Sequence, residues 1–536
     1  MSSPLHHYLA SAFETTVTFD VTVFSRIIAA FAAALVWHSA AFAATTCENL
    51  TTLAIPNVTV TSAIPLSAGA TIPGVGRGRG GALKLPAFCR VAAVSKPVPD
   101  SEVHFEVWLP SVETWNGKFQ GTGNGGYSGA LDFAAMQKAL AAGYATAGSD
   151  TGHSGDNLNF AVGHPAKIDD WGYRAVHVMT EAAKLVVHAH YGRFADRSYF
   201  TGCSTGGHQA LMEAQRFPDD YDGIVAGDPG NNRVRLNMGF LWSWLALYKD
   251  PAANIPASEL PIINKAAIAA CDALDGVKDG LISEPMRCKF DPATLLCKSA
   301  ASDACLTAPQ VAAVQKIYDG AKNPRTGQRL FAGWVRGSEL GWSGYFVGHN
   351  EPARVDFWRY WVFGDPAWDP RTFDFDKDAA FADTTMAAIN SNDPDLKAFR
   401  ARGGKLIGYS GWADPVVPPG DVVRYYEAAM KALGGAAKTD DFYRLFMVPG
   451  MGHCQGGPGP ATFDALDALD TWVTKGTAPE KIVASHSTNG TVDRTRPLCP
   501  YPQTAKWKGT GSSDDAAQFN CVSEVKVAAQ TVRTAK

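Results

Sequence analysis

The sequence predicts an α/β fold, with a mostly parallel β-sheet and helices on both faces, on three observations. Short apolar runs typical of strands alternate with segments of helical periodicity, which indicates a parallel sheet. The alternation breaks between about residues 231 and 397, which indicates an inserted domain. With 536 residues, of which 46% are hydrophobic, the chain is long enough for a large core and more than one domain.

The individual elements follow from these patterns in chain order. Continuous or alternating apolar residues predict strands at Ser101–Pro110, Lys118–Gln120, Tyr144–Gly148, Ser198–Thr201, Gly223–Ala226, Lys405–Tyr409 and Tyr443–Val448. Helical spacing predicts helices at Asp170–Tyr191, His208–Arg216, Val422–Leu433 and Ala461–Val473. We therefore expect a core in two parts, residues 44–230 and 398–536, with an inserted lid domain at 231–397 between them.

The net charge indicates which partners to expect, and the amino-terminal segment indicates where the protein is located. The net charge is −4 and the isoelectric point is near 6.4, so no surface for nucleic acid is expected. An apolar run at 27–36 follows Arg26 and precedes the small residues Ala41-Phe42-Ala43, which predicts a signal peptide and N-terminal extension over 1–43. The run is short for the alternative, a membrane anchor. We expect a secreted or periplasmic protein whose mature chain does not span a membrane.

All ten cysteines follow the proposed cleavage site. An even number in an oxidising compartment indicates five disulfides, with buried free thiols as the alternative. Cys271–Cys288 and Cys297–Cys305 are plausible pairs because each would close a short loop. The spacing leaves the rest of the connectivity open.

The segment Gly-Cys-Ser-Thr-Gly at 202–206 fits the G-x-S-x-G motif between a predicted strand and a predicted helix. Its central residue, Ser204, is therefore a candidate nucleophile. A serine hydroxyl needs a base, and the base needs a carboxylate to orient it. His453 follows the last predicted strand, and Asp414 follows the strand before it. The chain order Ser204, Asp414, His453 is that of the α/β-hydrolases, which predicts an α/β-hydrolase core with these residues as nucleophile, acid and base.

Other assignments of these residues are open. Taken alone, Asp414 would be a helix N-cap and His453 an ordinary loop residue. His153 also follows a predicted strand, but it precedes the serine in the chain. Asp228, at the end of another strand, is an alternative acid.

Two cysteines lie directly beside these candidates. Cys203 precedes Ser204, and Cys454 follows His453. A disulfide holds its two Cα atoms about 4.4–6.8 Å apart, so a bridge between these cysteines would bring the serine and the histidine into one small volume. We therefore hypothesise a Cys203–Cys454 bond. Cys203 is not expected to be the nucleophile, because the elbow exposes its central residue.

Two backbone segments are expected to donate N–H groups to the oxyanion of an acyl-transfer reaction. One is Thr205, the residue after the nucleophile, and the other is Gly125 or Gly126 in a glycine-rich loop that follows a predicted strand. An ordinary glycine turn is the alternative. A phosphate-binding loop is disfavoured, because no Lys-Ser/Thr pair follows the glycines.

An acidic, glycine-containing loop at 272–281 predicts a structural calcium site in the lid. Hard cations take oxygen ligands, both carboxylates and backbone carbonyls. The spacing is not that of an EF-hand, and a solvated acidic turn is the alternative. The candidate ligands are the side chains of Asp272, Asp275 and Asp279 and the carbonyls of Val277 and Leu281.

The predicted insertion is rich in tryptophan. These side chains either build the core of the insertion, or at least two of them line a pocket for an aromatic ligand. The residues are Trp242, Trp244, Trp334, Trp342, Trp358, Trp361 and Trp368.

On these marks the mature chain resembles the tannase and feruloyl esterase family over nearly its whole length. The marks are the Cys-Ser pair at 203–204, Asp414, the His-Cys pair at 453–454, the calcium loop and the segment Thr495–Pro502. The resemblance implies an α/β-hydrolase core with an inserted lid that holds Ca²⁺. It also implies the disulfides Cys47–Cys89, Cys203–Cys454, Cys271–Cys288, Cys297–Cys305 and Cys499–Cys521.

The function that this resemblance implies is hydrolysis of small aromatic esters, such as feruloyl or galloyl esters. The family also includes mono(2-hydroxyethyl) terephthalate hydrolase, in which a glutamate follows the serine where this chain has Thr205. The lid arginine segment of that enzyme is not recognisable in this sequence, so a natural phenolic ester is favoured over a terephthalate monoester. A serine peptidase, and a catalytically silent binding protein on a hydrolase fold, are the alternatives of other classes.

Overall fold

The computed structural model describes residues 44–70, 72, 85–298 and 304–523. The proposed signal peptide at 1–43 lies outside the described residues. No helix within the described ranges combines the length and the apolar character that crossing a membrane requires.

A nine-stranded sheet with the order β1-β2-β3-β5-β4-β6-β7-β8-β9 forms the centre of the molecule. Strands β1, β2, β3 and β5 pair antiparallel in that order, whereas β5, β4 and β6 through β9 pair parallel. The predicted fold class is therefore confirmed. The strands are β1 (Val58–Leu66), β2 (Phe88–Ser95), β3 (Val103–Pro110), β4 (Lys118–Thr122), β5 (Ala145–Ser149), β6 (Arg197–Cys203), β7 (Gly223–Gly227), β8 (Lys405–Gly411) and β9 (Tyr443–Val448).

Helices cover both faces of this sheet. Successive residues of a strand point to opposite faces, and Tyr199 and Phe200 of β6 belong to different hydrophobic clusters. Tyr199 packs in the cluster that contains Leu469 of the helix Ala465–Lys475, and Phe200 in the cluster that contains Val186 of the helix Ala175–Tyr191. The helices are α1 (Phe133–Ala141), α2 (Pro165–Asp169), α3 (Ala175–Tyr191), α4 (Thr205–Arg216), α5 (Arg233–Tyr248), α6 (Leu260–Cys271), α7 (Ala308–Asp319), α8 (Lys377–Thr385), α9 (Lys397–Ala401), α10 (Pro419–Leu433), α11 (Ala436–Thr439) and α12 (Ala465–Lys475).

Several elements differ from the predictions at their ends or were not predicted. The helix predicted from Asp170 starts with a π-helical turn, Asp170–Arg174, before α3. Strands β1 and β2 were not predicted, since they pair antiparallel at the edge of the sheet and β1 buries only two of its residues. Four more unpredicted strands form two small antiparallel sheets, β10 (Ile482–Thr488) with β11 (Thr491–Leu498) and β12 (Gln503–Trp507) with β13 (Phe519–Ser523).

The neighbouring strands β7 and β8 are separated in the chain by a long insertion that contains α5 to α9. Its described residues contain no strand of the sheets above. Five of its tryptophans are at most 5% exposed, and they pack in the same hydrophobic cluster as the sheet. These five are Trp244, Trp334, Trp342, Trp358 and Trp361.

All ten cysteines are paired, and the five pairs are those that the resemblance implied. The short-loop pairs Cys271–Cys288 and Cys297–Cys305 are among them. The predicted bond between Cys203 and Cys454 is present and spans 251 residues of sequence.

Candidate active site

Ser204 lies at a sharp turn between β6 and α4, with φ 64° and ψ −115°. A positive φ is costly for a residue with a Cβ and persists where the surrounding structure enforces it, often at functional sites. Gly202 makes the turn possible, because a Cβ at this position would lie 2.4 Å from the carbonyl group of Gly206. The half-buried Ser204 is thus presented at the carboxyl end of β6, as a nucleophile elbow requires.

Asp414 and His453 are brought together by the loops that follow β8 and β9. The Nδ1 atom of His453 lies 2.8 Å from Oδ2 of Asp414. The other carboxylate oxygen, Oδ1, accepts hydrogen bonds from the backbone N–H groups of Val416 and Val417, at 2.7 and 3.0 Å. Asp414 is fully buried, whereas 19% of the His453 side chain is exposed. The carboxylate is therefore held by three hydrogen-bond contacts, and the imidazole beside it stays partly exposed.

The Cys203–Cys454 disulfide connects the elbow to the histidine loop. Its Cα atoms are 5.9 Å apart, which limits how far apart the residues next to them in the chain, Ser204 and His453, can lie. In the described part of the chain, the hydrogen bonds do not include one between Ser204 Oγ and His453. Such contacts are often long without substrate and tighten in the reacting complex.

A second buried carboxylate, Asp228, lies beside this pair. Its oxygens accept hydrogen bonds from the backbone N–H groups of Gly411, at 2.8 Å, and Cys454, at 2.9 Å. Ligand atoms of Asp228, Asp414 and His453 all lie within 4.8 Å of one another. Burial and the neighbouring charge of Asp414 raise the pKa of Asp228 to about 8. Asp228 therefore joins the strand end that precedes Asp414 to the histidine loop, while Asp414 holds the imidazole directly.

The electrostatics around His453 favour its protonated form. Burial alone would lower its pKa, but the charge of Asp414, the hydrogen bond to Asp414 and the charge of Asp228 together raise the pKa above the ordinary 6.5. His153, the other histidine considered from the sequence, is buried and stacks on Phe160, and its Nε2 is 2.8 Å from the carbonyl of Tyr127. That histidine is held by the loop instead of facing the nucleophile.

The glycine-rich loop after β4 packs directly on the elbow. A Cβ at Gly123 would lie 2.5 Å from the Cα of Gly206, so the two backbones are in close contact. The hydroxyl of Thr205 donates a hydrogen bond to the carbonyl of Gly126 at 2.6 Å. Thr205 is the first residue of α4, where backbone N–H groups have no partner within the helix. Gly126, one of the predicted donors, thus lies beside Thr205.

Two arginines that were not predicted from the sequence as site residues lie against this glycine-rich loop. The guanidinium of Arg354, in the insertion, would be 3.0 Å from a Cβ at Gly126 and lies over the ring of Tyr127, 5.5 Å from the ring centroid. Arg233 approaches Tyr127 at the same centroid distance and donates to Thr205 Oγ1 at 2.9 Å. The sequence carries no signal for either contact, because both depend on how the insertion packs on the core.

Two cavities flank the disulfide. One, of about 250 Å³, is lined by His453 and mainly by apolar residues, including Ile282, Leu340 and Trp412. The other, of about 610 Å³, is more polar and touches Gly125 and both cysteines. None of the seven tryptophans of the insertion lines either cavity. An aromatic ring near His453 would therefore meet Trp412 of the core instead of those tryptophans.

The acidic loop at 272–281 folds around its own carboxylates. Asp272 accepts from the N–H groups of Asp279 and Gly280, and Asp275 accepts from that of Val277. Asp279 also forms a buried ion pair with Arg496 of β11. Within the described residues, the clusters of three or more potential ligand atoms lie around Asp228 and not in this loop. The oxygen-only set suits a hard cation, although a cation would share Asp279 with the guanidinium.

This sheet order, with a serine at a strand-to-helix elbow, places the chain in the α/β-hydrolase class. A family model described as tannase and feruloyl esterase matches residues 89–522, and the chain belongs to this family. The chain is a carboxylesterase.

Individual relatives agree with this classification. An uncharacterized esterase of Xanthomonas campestris pv. campestris is 42% identical over 93% of this chain and 94% of its own length. The mono(2-hydroxyethyl) terephthalate hydrolase of Piscinibacter sakaiensis is 35% identical over 82% of this chain and 85% of its own. The crystal structure of feruloyl esterase B from Aspergillus oryzae is 30% identical, with a TM-score of 0.83, over 89% of this chain and 100% of that one.

Proposed function

We propose that this carboxylesterase is exported and hydrolyses esters of phenolic acids, such as feruloyl or galloyl esters, with Ser204, His453 and Asp414 as nucleophile, base and acid. The observation that carries the proposal is the Cys203–Cys454 bond, which joins the elbow of Ser204 to the loop whose histidine is bound to Asp414. The similarity to feruloyl esterase B supports the substrate class. Five disulfides support an oxidising compartment.

The proposed mechanism assigns one role to each of these residues. His453 removes the proton of Ser204 as Oγ attacks the ester carbonyl, and Asp414 stabilises the imidazolium that forms. The backbone N–H groups of Thr205 and of Gly125 or Gly126 bind the oxygen that becomes negative. His453 then donates its proton to the leaving alcohol, and water hydrolyses the acyl-enzyme by the same steps in reverse.

The two cavities suggest where the parts of the ester bind. A volume of about 250 Å³ beside His453 holds a single substituted ring, since a cavity of roughly 150 Å³ accepts benzene. The larger cavity contains Asp464, Asp467 and Asp470 and suits a neutral, hydroxyl-bearing alcohol. In this proposal the insertion, residues 231–397, acts as the lid of the apolar cavity through Ile282 and Leu340.

A hydrolysis screen tests the substrate class. Methyl ferulate or methyl gallate is expected to exceed methyl butyrate in kcat/KM, because a planar ring buries more apolar area and stacks on Trp412. Each factor of ten corresponds to about 1.4 kcal/mol of additional transition-state binding. The variant Trp412→Leu serves as a control that should narrow the difference. Equal turnover of butyrate and the phenolic esters by the wild type would reject the aromatic subsite.

A terephthalate monoester hydrolase is the second candidate, and one observation favours it. The guanidinium of Arg354 lies beside Gly126, where it could meet a carboxylate on the acid part of the ester. A natural phenolic ester is favoured by the sequence because no lid arginine segment is recognisable there, whereas Arg354 is an arginine of the insertion beside the proposed oxyanion loop. The same screen separates the two functions, since a preferred terephthalate monoester whose turnover is lost in Arg354→Ala would establish the second.

A calcium ion in the loop at 272–281 is part of the proposed function. The ion would be held by the carboxylates of Asp272, Asp275 and Asp279 and by the carbonyls of Val277 and Leu281. When bound, it would supply a positive charge that stabilises the loop closed by the Cys271–Cys288 bond, and it would take no part in the chemical steps.

Removal of calcium is therefore expected to lower the melting temperature. A ligand at 100 times its Kd stabilises the native state by about 2.7 kcal/mol. Chelation should abolish this contribution. The variant Asp275→Ala should be insensitive to the chelator. The control Asp156→Ala, which changes an exposed residue, should remain as sensitive as the wild type. Atomic emission showing no calcium in untreated protein would contradict the site.

The pH dependence reports the environment of His453. The base acts in its neutral form, and its pKa is raised by Asp414, so activity is lost as the pH falls through a value above 6.5. Asp414→Asn should move this acid limb of kcat/KM to lower pH as well as slowing the reaction. Asp228→Asn should move it less, because Asp228 contributes less than Asp414 to the raised pKa of His453 and does not hydrogen-bond the imidazole. A wild-type limb below 6.5 would contradict the assignment.

A further inference from the structure

A hydrogen-bonded bridge connects the two segments of the proposed oxyanion hole to a buried arginine. Arg233, the first residue of α5, donates from Nη2 to Thr205 Oγ1 at 2.9 Å. Thr205 Oγ1 in turn donates to the carbonyl of Gly126 at 2.6 Å. The bridge therefore sets the distance between the backbone after the nucleophile and the glycine-rich loop.

The charge of Arg233 has no carboxylate partner within the described residues. The residue is 5% exposed, and its guanidinium lies beside the stacked rings of Tyr127 and Trp171, 5.5 Å and 5.1 Å from their centroids. Its Nε atom is buried without a hydrogen-bond partner. Burial lowers the pKa of Arg233 to about 10, so the group is still charged at neutral pH. An unpaired buried charge is expensive, and proteins usually pair or neutralise one.

Helix stability does not account for this position. A positive charge at a helix N-terminus opposes the helix dipole, and Arg233 begins α5. By contrast, Arg235 of the same helix forms a two-point ion pair with Asp383, as is usual for a partly buried arginine. Among the described residues, Arg235 is paired with a carboxylate and Arg233 is not, which indicates that Arg233 has a role beside Thr205 and Ser204.

We propose that Arg233 is a positioning residue for the oxyanion hole, which orients Thr205 and Gly126 and places a fixed positive charge behind the carbonyl oxygen as it becomes negative. The inference rests on the proposed function, because it requires acyl transfer at Ser204. A charge in a water-poor environment stabilises an anion strongly and a neutral ester weakly. Its effect therefore falls on kcat more than on KM.

The test compares Arg233→Gln and Arg233→Lys with the matched control Arg235→Gln. Arg233→Gln is expected to lower kcat by about 100-fold with KM changed less than about threefold, in line with the loss of an oxyanion contact. Arg233→Lys keeps the charge, so its kcat should be at least about tenfold higher than that of Arg233→Gln. Arg235→Gln should lower the melting temperature and leave kcat unchanged.

Inhibition by phenylboronic acid separates an electrostatic role from a structural one. The boronate forms an anionic tetrahedral adduct on serine, so its affinity should fall in Arg233→Gln by about the same factor as kcat/KM. Thr205→Val, which removes the bridging hydroxyl and keeps the backbone N–H, should lower kcat by about tenfold and remains informative if Arg233→Gln does not fold. Wild-type kcat and boronate affinity in Thr205→Val, or in folded Arg233→Gln, would overturn the inference. Ester turnover that persists in Ser204→Ala would instead contradict the proposed function itself.

Discussion

Replacing Ser204 with alanine is expected to lower kcat/KM for an aromatic ester by about four orders of magnitude or more and to leave the fold intact. In the proposed mechanism Oγ forms the bond to the substrate, and neither neighbour in the elbow can replace it, since Cys203 is in a disulfide and Thr205 begins α4. His453→Ala should lower kcat/KM nearly as much, because catalytic residues that act as a unit lose most of their effect when any one of them is removed. Single-turnover hydrolysis measures the loss.

The control for this variant is Ser154→Ala, which removes an exposed hydroxyl and should leave kcat/KM unchanged. Circular dichroism and the melting temperature should be alike for the three serine and histidine variants. A Ser204→Ala protein that kept more than about a tenth of wild-type activity would show that the nucleophile is another group. Labelling by a fluorophosphonate offers an independent check, since it should mark the wild type and not Ser204→Ala.

Removing the Cys203–Cys454 bond, by changing both cysteines to alanine, is expected to lower activity more than it lowers the folded fraction. The bond closes 251 residues of sequence, and in the chain-entropy model a loop of that length contributes about 5 kcal/mol. Beyond stability, the bond holds the loop of His453 against the elbow, and Asp228 supports that loop with one further hydrogen bond to Cys454 N–H. A misplacement of about 1 Å costs roughly 100-fold in rate.

The matched control is the Cys297–Cys305 bond, which closes eight residues of the insertion. Its removal should lower the melting temperature and leave kcat of the folded protein unchanged. Both variants should be assayed at a temperature where circular dichroism shows them folded. A Cys203/Cys454 double variant with wild-type kcat would show that the strands and Asp414 position His453 without the disulfide.

Much of the fold followed from local sequence patterns. Strands β3 to β9 are short, apolar and bounded by glycine or polar residues. The apolar pattern and the residues that end it were therefore enough to predict them. Strand β1 lacked that signal, since it lies at the antiparallel edge and buries only two of its nine residues. The family assignment and the five disulfide pairs were also predicted and are confirmed.

The sequence by itself determined the order of Ser204, Asp414 and His453 and the two cysteines beside them, because each stands next to a readable strand end. Only the tertiary structure decided what surrounds them. Asp228 meets the histidine loop across 226 residues of sequence, and Arg354 reaches Gly126 from the insertion. Local patterns report which face of an element is buried. They do not report which distant side chain fills the space beside it, since that depends on how separately folded segments pack against one another.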